Sequence, residues 1–254
     1  MYYLANKLTD YRNAIAVVGC GGTGGFVTEG LCRLLAGRPQ VELRLIDGDR
    51  VEERNLERQN FWPEDLGHFK AQALAERLAR RYRRPVAYSV APLQKGDLNS
   101  CALVVGCVDN AEARSAISQA VSPSLWWLDA GNGREFGQVL VGNASYEGLP
   151  GAFDEGKGLC HALPLPTWVR PELLVPNPGA SCGQAVEQGP TINQWMAVLV
   201  VEVVRRLLEG RLTWWQAYLD LETMGLRTVL ATPEAVSRFS GTRLKSLIRK
   251  EGEK

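Results

Sequence analysis

Residues 13–35 read NAIAVVGCGGTGGFVTEGLCRLL, and the change of character halfway along this stretch decides the fold. Ala14–Val18 is a short apolar run of strand type, whereas from about Gly24 the pattern is that of a helix. Between them lies Gly19-x-Gly21-x-x-Gly24. Glycines placed between a strand and a helix allow a tight turn and bring a phosphate close to backbone N–H groups at the positive helix end. A nucleotide is therefore the expected ligand, cradled by Gly19, Gly21, Gly22, Thr23 and Gly24.

Working outward, apolar runs keep alternating with helical stretches. VELRLID, PVAYSV, CALVVGC, LWWLDA and GQVLVG read as strands, while KAQALAERLARRY and a segment from about Asn110 read as helices. Short strands separated by helices imply right-handed crossovers and a mostly parallel sheet covered on both faces. The expected fold is α/β, a doubly wound Rossmann-like domain over about residues 13–142, followed by a C-terminal helix and β-hairpin extension over about 191–232. The helix runs from about Ile192 to Glu209, and the hairpin is AYLDLETMGLRTVL with ETMG as its turn. Between these parts, residues 145–190 carry seven prolines and scattered glycines, which predicts a crossover loop or lid without regular structure. The tail, 233–254, ends in RFSGTRLKSLIRKEGEK and reads as a solvated or frayed helix. All of it fits one domain, 1–254.

Composition narrows the classes. At 254 residues the chain is long enough for a proper core, and 45% hydrophobic with 22% charged residues is ordinary for a globular protein. A formal net charge of +1 gives no long-range attraction to nucleic acid or anionic membrane. The longest apolar stretch, WMAVLVVEVV, is interrupted by Glu202 and falls well short of the roughly 20 residues that span a bilayer. No secretory signal opens the chain, and the six cysteines contain no C-x-x-C pair. The expectation is a cytoplasmic protein with reduced thiols and no zinc site.

Asp47 stands 23 residues beyond Gly24, at the end of VELRLID, where a carboxylate can take two ribose hydroxyls. Both NAD and ATP offer such a ribose. The next segment, DGDRVEERNLERQNFWPEDLGHFK, then supplies Asp49, Asn55, Arg58, Gln59 and Lys70. A single pyrophosphate needs no such group of cations, whereas a triphosphate does; a solvated charged loop is the other reading. In LVVGCVDNAEAR a strand delivers Asp109 and Asn110 to its C-terminal end, the edge where ligands bind in open α/β sheets. Asp109 is there well placed to hold Mg²⁺, or to cap the helix that follows.

GCGGTG, DGDRVEERNLERQ, GHFK and VDN with Arg114, in that order over about residues 14–142, resemble the ThiF/MoeB/HesA adenylyltransferases, relatives of ubiquitin-activating enzymes. WWLDAGN, GQVLVG, ASCGQAVEQG and INQWMA look more like one branch, the ThiF-family proteins of PRTRC systems. The resemblance implies MgATP-dependent adenylation of the C-terminal carboxylate of a ubiquitin-like β-grasp protein, supplied in trans. It implies that Asp47 binds the ribose, that Asn55 and Arg58 contact the α-phosphate region, and that Arg58 stabilises charge as pyrophosphate leaves. Lys70 would hold the outer phosphates and Asp109 would organise Mg²⁺. A homodimer and a JAB-type peptidase in the same gene set are further implied. Cys182 sits where family members often carry a cysteine that accepts the acyl group as a thioester, with adjacent Cys160 and His161 as the rival thiol pair. Two departures stand out: the zinc-binding cysteine pairs of many members are absent, and the 18 residues before Gly19 are too few for the helix from which related dimers reach an arginine into the neighbouring site. Other readings of the glycine turn are a non-catalytic nucleotide- or partner-binding module and an NAD-dependent oxidoreductase.

Overall fold

The computed structural model describes residues 1–94, 96–175, 189 and 191–249. In chain order its strands and helices are β1 (Tyr3–Leu4), β2 (Ala14–Val18), α1 (Gly22–Leu34), β3 (Glu42–Ile46), α2 (Lys70–Tyr82), β4 (Ala87–Ser89), β5 (Cys101–Gly106) and α3 (Ala111–Ala120). There follow β6 (Trp126–Asn132), β7 (Phe136–Gly142), β8 (Phe153–Asp154), β9 (Leu159–Cys160), α4 (Pro166–Val169) and α5 (Ile192–Leu208). The described chain closes with β10 (Trp214–Asp220), β11 (Gly225–Leu230), α6 (Pro233–Ser240), α7 (Leu244–Leu247) and β12 (Ile248–Arg249).

Eight strands form the main sheet in the order β11-β10-β7-β6-β5-β2-β3-β4. From β4 to β6 every pairing is parallel; from β6 to β11 every pairing is antiparallel. The doubly wound, Rossmann-like reading thus holds, with the hairpin β10–β11 extending the sheet beyond β7. β2 shows why the parallel half needs two covers: Ile15 and Val17 enter one apolar cluster while Ala14, Ala16 and Val18 enter the other. Helices α1, α2 and α5 supply the first cluster, and α3 with the chain near Leu165 supplies the second. Helix α2 buries Ala71, Leu74, Ala75 and Leu78, the i, i+3, i+4, i+7 stripe expected of a helix lying on a sheet. Gly30 lets α1 and α5 come together, because a Cβ there would sit 2.6 Å from Val201.

Two expectations need correction. The described part of the 145–190 stretch is built, not structureless: β8 and β9 pair with each other, β1 joins β9, and β12 joins β8 to make a second, four-stranded sheet. Phe153 and Cys160 are fully buried in it, and Tyr2 stacks edge-on against Phe153 at 4.9 Å. The tail is likewise packed as far as Arg249, with Val236 and Leu247 fully buried. The physical reason is the same in both cases. Segments distant in sequence supply each other's missing strand partners and apolar cover, and a local pattern does not reveal this. The hairpin turn also falls one residue earlier than ETMG, at residues 221–224, because Asp220 accepts the N–H groups of Glu222 and Thr223. Among the described residues no helix is long and apolar enough to cross a membrane.

Candidate active site

Strand β2 is flanked by β3 on one side and β5 on the other, so the chain departs in opposite directions from this point and leaves a crevice at the C-terminal strand ends. The glycine turn after β2 and the 107–110 turn after β5 face each other across it. Gly19 has φ +87°, and a Cβ on it would lie 2.6 Å from the Cys107 carbonyl. At Gly24 a Cβ would lie 1.9 Å from the Gly19 carbonyl. Gly24 is buried, so it shapes the turn from behind, not at the ligand surface. No side chain caps α1, whose first N–H groups are thereby left for a ligand.

Asp47 directly follows β3 and accepts the Cys20 N–H at 2.6 Å and the Asp49 N–H at 2.8 Å, one on each oxygen. Burial raises its pKa while these two N–H groups and Lys70 oppose the rise. Lys70 is itself buried and donates to Asp49 at 2.8 Å. Asn55 is buried, its Oδ1 accepting the Glu52 N–H at 2.9 Å. Arg58 is half-buried in the wall of the cleft, and its guanidinium has no partner among the described residues. Gln59 flanks Gly21, and its buried Oε1 has no hydrogen-bond partner among the described residues. Asp109 is exposed, and among the described residues its one hydrogen bond is from Asn110 Nδ2 at 3.3 Å. The cap of α3 is Asn110, whose side chain accepts the Ala113 N–H at 2.8 Å; this overturns the capping alternative for Asp109. No group of three or more His, Cys, Asp or Glu among the described residues could hold a metal ion. Mg²⁺ commonly takes one or two carboxylates, the substrate phosphates and water, and the exposed Asp109 fits that limited donor role.

One cleft of about 1210 Å³ is lined by Gly19, Gly21, Gly22, Thr23, Asp47, Asp49, Asn55, Arg58, Gln59, Lys70, Asp109 and Asn110. All of the expected binding residues except the buried Gly24 therefore meet at one place. Cys182 lies outside the described residues. Cys160 is a poor nucleophile: it is fully buried, its thiol donates to the Ala162 carbonyl at 3.4 Å, and burial pushes its pKa far up. The Cys20 side chain, inside the glycine turn, is buried in the core, and its N–H reaches Asp47.

The cleft is larger than the motifs foretold. It runs on past Asn132, Gln138 and Tyr218 to Arg227 in the antiparallel half. Buried Arg114 pairs with fully buried Asp129 through Nε at 3.2 and 3.3 Å, and its Nη2 donates to the Val108 carbonyl at 2.6 Å, pinning the turn that carries Asp109. Thr23 Oγ1 lies 3.2 Å from Asn132 Oδ1 and 3.0 Å from Asn193 Oδ1, while Asn132 Nδ2 donates to Asn193 Oδ1 at 3.2 Å. Asn132 and Asn193 stand within WWLDAGN and INQWMA, stretches whose asparagines carry no local signal of meeting.

The sequence model of the ThiF family matches residues 5–211. Among curated proteins, ubiquitin-like modifier-activating enzyme 5 of Dictyostelium discoideum is 33% identical over 147 residues, 50% of this chain and 38% of that protein. The Rattus norvegicus protein of the same name is 34% identical over 147 residues, 49% of this chain and 35% of its own. The matched regions therefore span little more than a third of those relatives. Among solved structures, Escherichia coli MccB with ATP superposes with a TM-score of 0.61 at 17% identity, covering 87% of this chain and 64% of that one. PaaA gives 0.59 at 16%, covering 87% and 64%; both likenesses speak to the fold. With the family model matching most of its length, over the glycine turn, the cation-bearing segment and the Asp109 turn alike, this chain belongs to the ThiF family.

Proposed function

We propose that the protein uses MgATP to adenylate the C-terminal carboxylate of a ubiquitin-like β-grasp protein that binds in trans. The observation carrying this reading is the convergence of a backbone phosphate cradle, a ribose-competent Asp47, Arg58 with no partner among the described residues, Lys70 and the exposed Asp109 around one cleft. A carboxylate resists nucleophilic attack because more negative charge would build on it. In the proposed reaction a carboxylate oxygen of the carrier attacks the α-phosphorus of ATP. The new O–P bond forms as the bond to the bridging oxygen breaks, and pyrophosphate leaves with the electron pair. The protein's part is positioning and charge stabilisation.

In this reading the N–H groups at the start of α1 hold phosphate oxygens and Asp47 holds the ribose. Arg58 turns its guanidinium to the charge that grows on the departing pyrophosphate. Lys70, held by Asp49, meets the outer phosphates, and Mg²⁺ bound through Asp109 would neutralise phosphate charge. A second step is carried by the sequence position of Cys182: its thiolate attacks the acyl carbonyl carbon, AMP leaves, and a thioester forms. The support from relatives is the name of those that match, ubiquitin-like modifier-activating enzyme 5. Calorimetric titration of MgATP and, separately, NAD into the wild type and Asp109→Ala tests the core of the reading. MgATP binding that weakens in Asp109→Ala is expected; binding of NAD alone would return the glycine turn to the oxidoreductases. Carrier-dependent pyrophosphate exchange then tests the chemistry, and a Cys182→Ser protein that still forms the partner conjugate at full rate removes the thioester step.

A further inference from the structure

The glycines of the phosphate turn are glycine for different reasons. Gly19 holds φ at +87°, a conformation that side chains disfavour, and Gly24 lies against the Gly19 carbonyl. Gly21 has room: a Cβ there would make ordinary contact with the Gln59 amide at 3.7 Å. Gly22 fits neither case. It is the first residue of α1 and is not among the positive-φ glycines, so its backbone asks for no glycine. A Cβ on it would nevertheless lie 2.4 Å from Nδ2, 2.7 Å from Cγ and 2.9 Å from Oδ1 of Asn193, and these are its three nearest atoms. The amide of Asn193 lies where a side chain at position 22 would go.

That amide is not free to step aside. Asn193 is the second residue of α5 and is 1% exposed, and α5 packs along α1 where Gly30 meets Val201. Its Oδ1 accepts the Thr23 hydroxyl at 3.0 Å and the Asn132 amide at 3.2 Å. Three elements, α1, β6 and α5, thus meet on one carboxamide. The arrangement also disposes of the Thr23 side chain. A threonine hydroxyl in the first turn of a helix competes for the nearby backbone groups. Here it is spent on asparagine oxygens instead, Asn193 Oδ1 at 3.0 Å and Asn132 Oδ1 at 3.2 Å. The first N–H groups of α1 are thereby left to the cleft, as an anion at that end of the helix requires.

We propose that Asn193 is the positioning residue of the phosphate turn: its amide fills the space over Gly22 and anchors Thr23, which fixes the direction of the first N–H groups of α1. Gly22 is glycine to admit Asn193, not to admit the ligand. The phosphate site is therefore set in part from α5, 170 residues beyond Thr23 in the chain, and not by the glycine motif alone. That the ligand is MgATP rests on the adenylation reading; the pairing of Gly22 with Asn193 does not.

The test is a double-mutant cycle on the full chain, with MgATP and adenosine as calorimetric probes. Gly22→Ala should cut MgATP affinity by about tenfold or more, the loss of one charge-assisted hydrogen bond to phosphate. Asn193→Ala should weaken it by about three- to tenfold, the worth of one neutral hydrogen bond. In the Asn193→Ala background Gly22→Ala should then cost nothing further, because the clashing amide is gone. Adenosine, which offers a ribose and no phosphate, should bind every variant as it binds the wild type. A Gly22→Ala cost that is the same in both backgrounds means that the glycine serves the ligand, and overturns the proposal. Adenosine affinity that falls in step with MgATP affinity overturns it too, since the damage is then general. If Asn193→Ala does not fold, Thr23→Val should weaken MgATP binding while Thr23→Ser keeps it, and equal losses in the two overturn the anchoring role. A wild-type protein that binds no MgATP removes the adenylation reading. The cycle is then read in melting temperature, which Gly22→Ala should lower in the wild-type background only; an equal drop in both backgrounds overturns the pairing.

Discussion

The two halves of the main sheet make their share of the cleft in different ways. The parallel half, β4 to β6, works through its backbone: Gly19 and Gly24 fold a turn that bares the N–H groups of α1, and Asp47 is held by N–H groups of that same loop system. The antiparallel half, β6 to β11, works through side chains: Gln138, Tyr218 and Arg227 stand in one row across three strands, next to Gly131. A site made of backbone depends on the few residues that permit its conformation. A site made of side chains depends on register. The two should therefore fail separately, except at the seam where both lean on the same groups.

The seam is β6, and the largest effect is expected there. Asp129→Ala leaves Arg114 as an uncompensated buried charge and frees the turn that presents Asp109, at a cost of about 3–5 kcal/mol in urea unfolding. A loss under about 1 kcal/mol would mean that the two halves are not joined through this pair. Next, Arg58→Ala should slow adenylation by about 10²–10³-fold, as for removal of one charge-stabilising donor, while MgATP affinity falls far less. Equal losses in rate and affinity would make Arg58 a ground-state binder and remove its part in the comparison.

Gly24→Ala drives a methyl onto the Gly19 carbonyl, costing about 1–3 kcal/mol by overpacking, and should remove MgATP binding. Calorimetry that still shows MgATP binding in this variant would mean that the glycine turn does not make the parallel half's share of the cleft. The smallest effect lies on the outer face of α5. Arg205 and then Arg206 hold Glu202 down to about 2. Its folded pKa is depressed, so its contribution is present above the ordinary glutamate value and is lost as pH falls toward 2. At this half-buried, solvent-screened position Glu202→Gln should cost about 0.5 kcal/mol at pH 7 and nothing below pH 2, read by thermal unfolding across that range.

What was legible in the sequence follows the same division. The glycine turn, Asp47, Lys70 and Asp109 each lie at the end of a strand or the start of a helix whose local pattern is strong, so topology alone carries them to one edge. The Asn193–Thr23–Asn132 network was not legible, because it joins three elements separated by 109 and 61 residues. Nor was the small sheet, in which Tyr3–Leu4 pairs with Leu159–Cys160 and Ile248–Arg249 pairs with Phe153–Asp154. Two-residue strands have no periodicity to read, and Cys160 looked available beside His161 only until its burial was seen.

By itself the sequence determined the alternation of strands and helices, the phosphate turn and the carboxylate and cation positions around it. Those depend on backbone conformation and on residues within one supersecondary unit. Only the tertiary structure decided that the cleft continues into the antiparallel half and that Arg114 is clamped between Asp129 and Val108. Side chains from separate strands and helices meet only after register and packing are set, and neither can be read from any one of them.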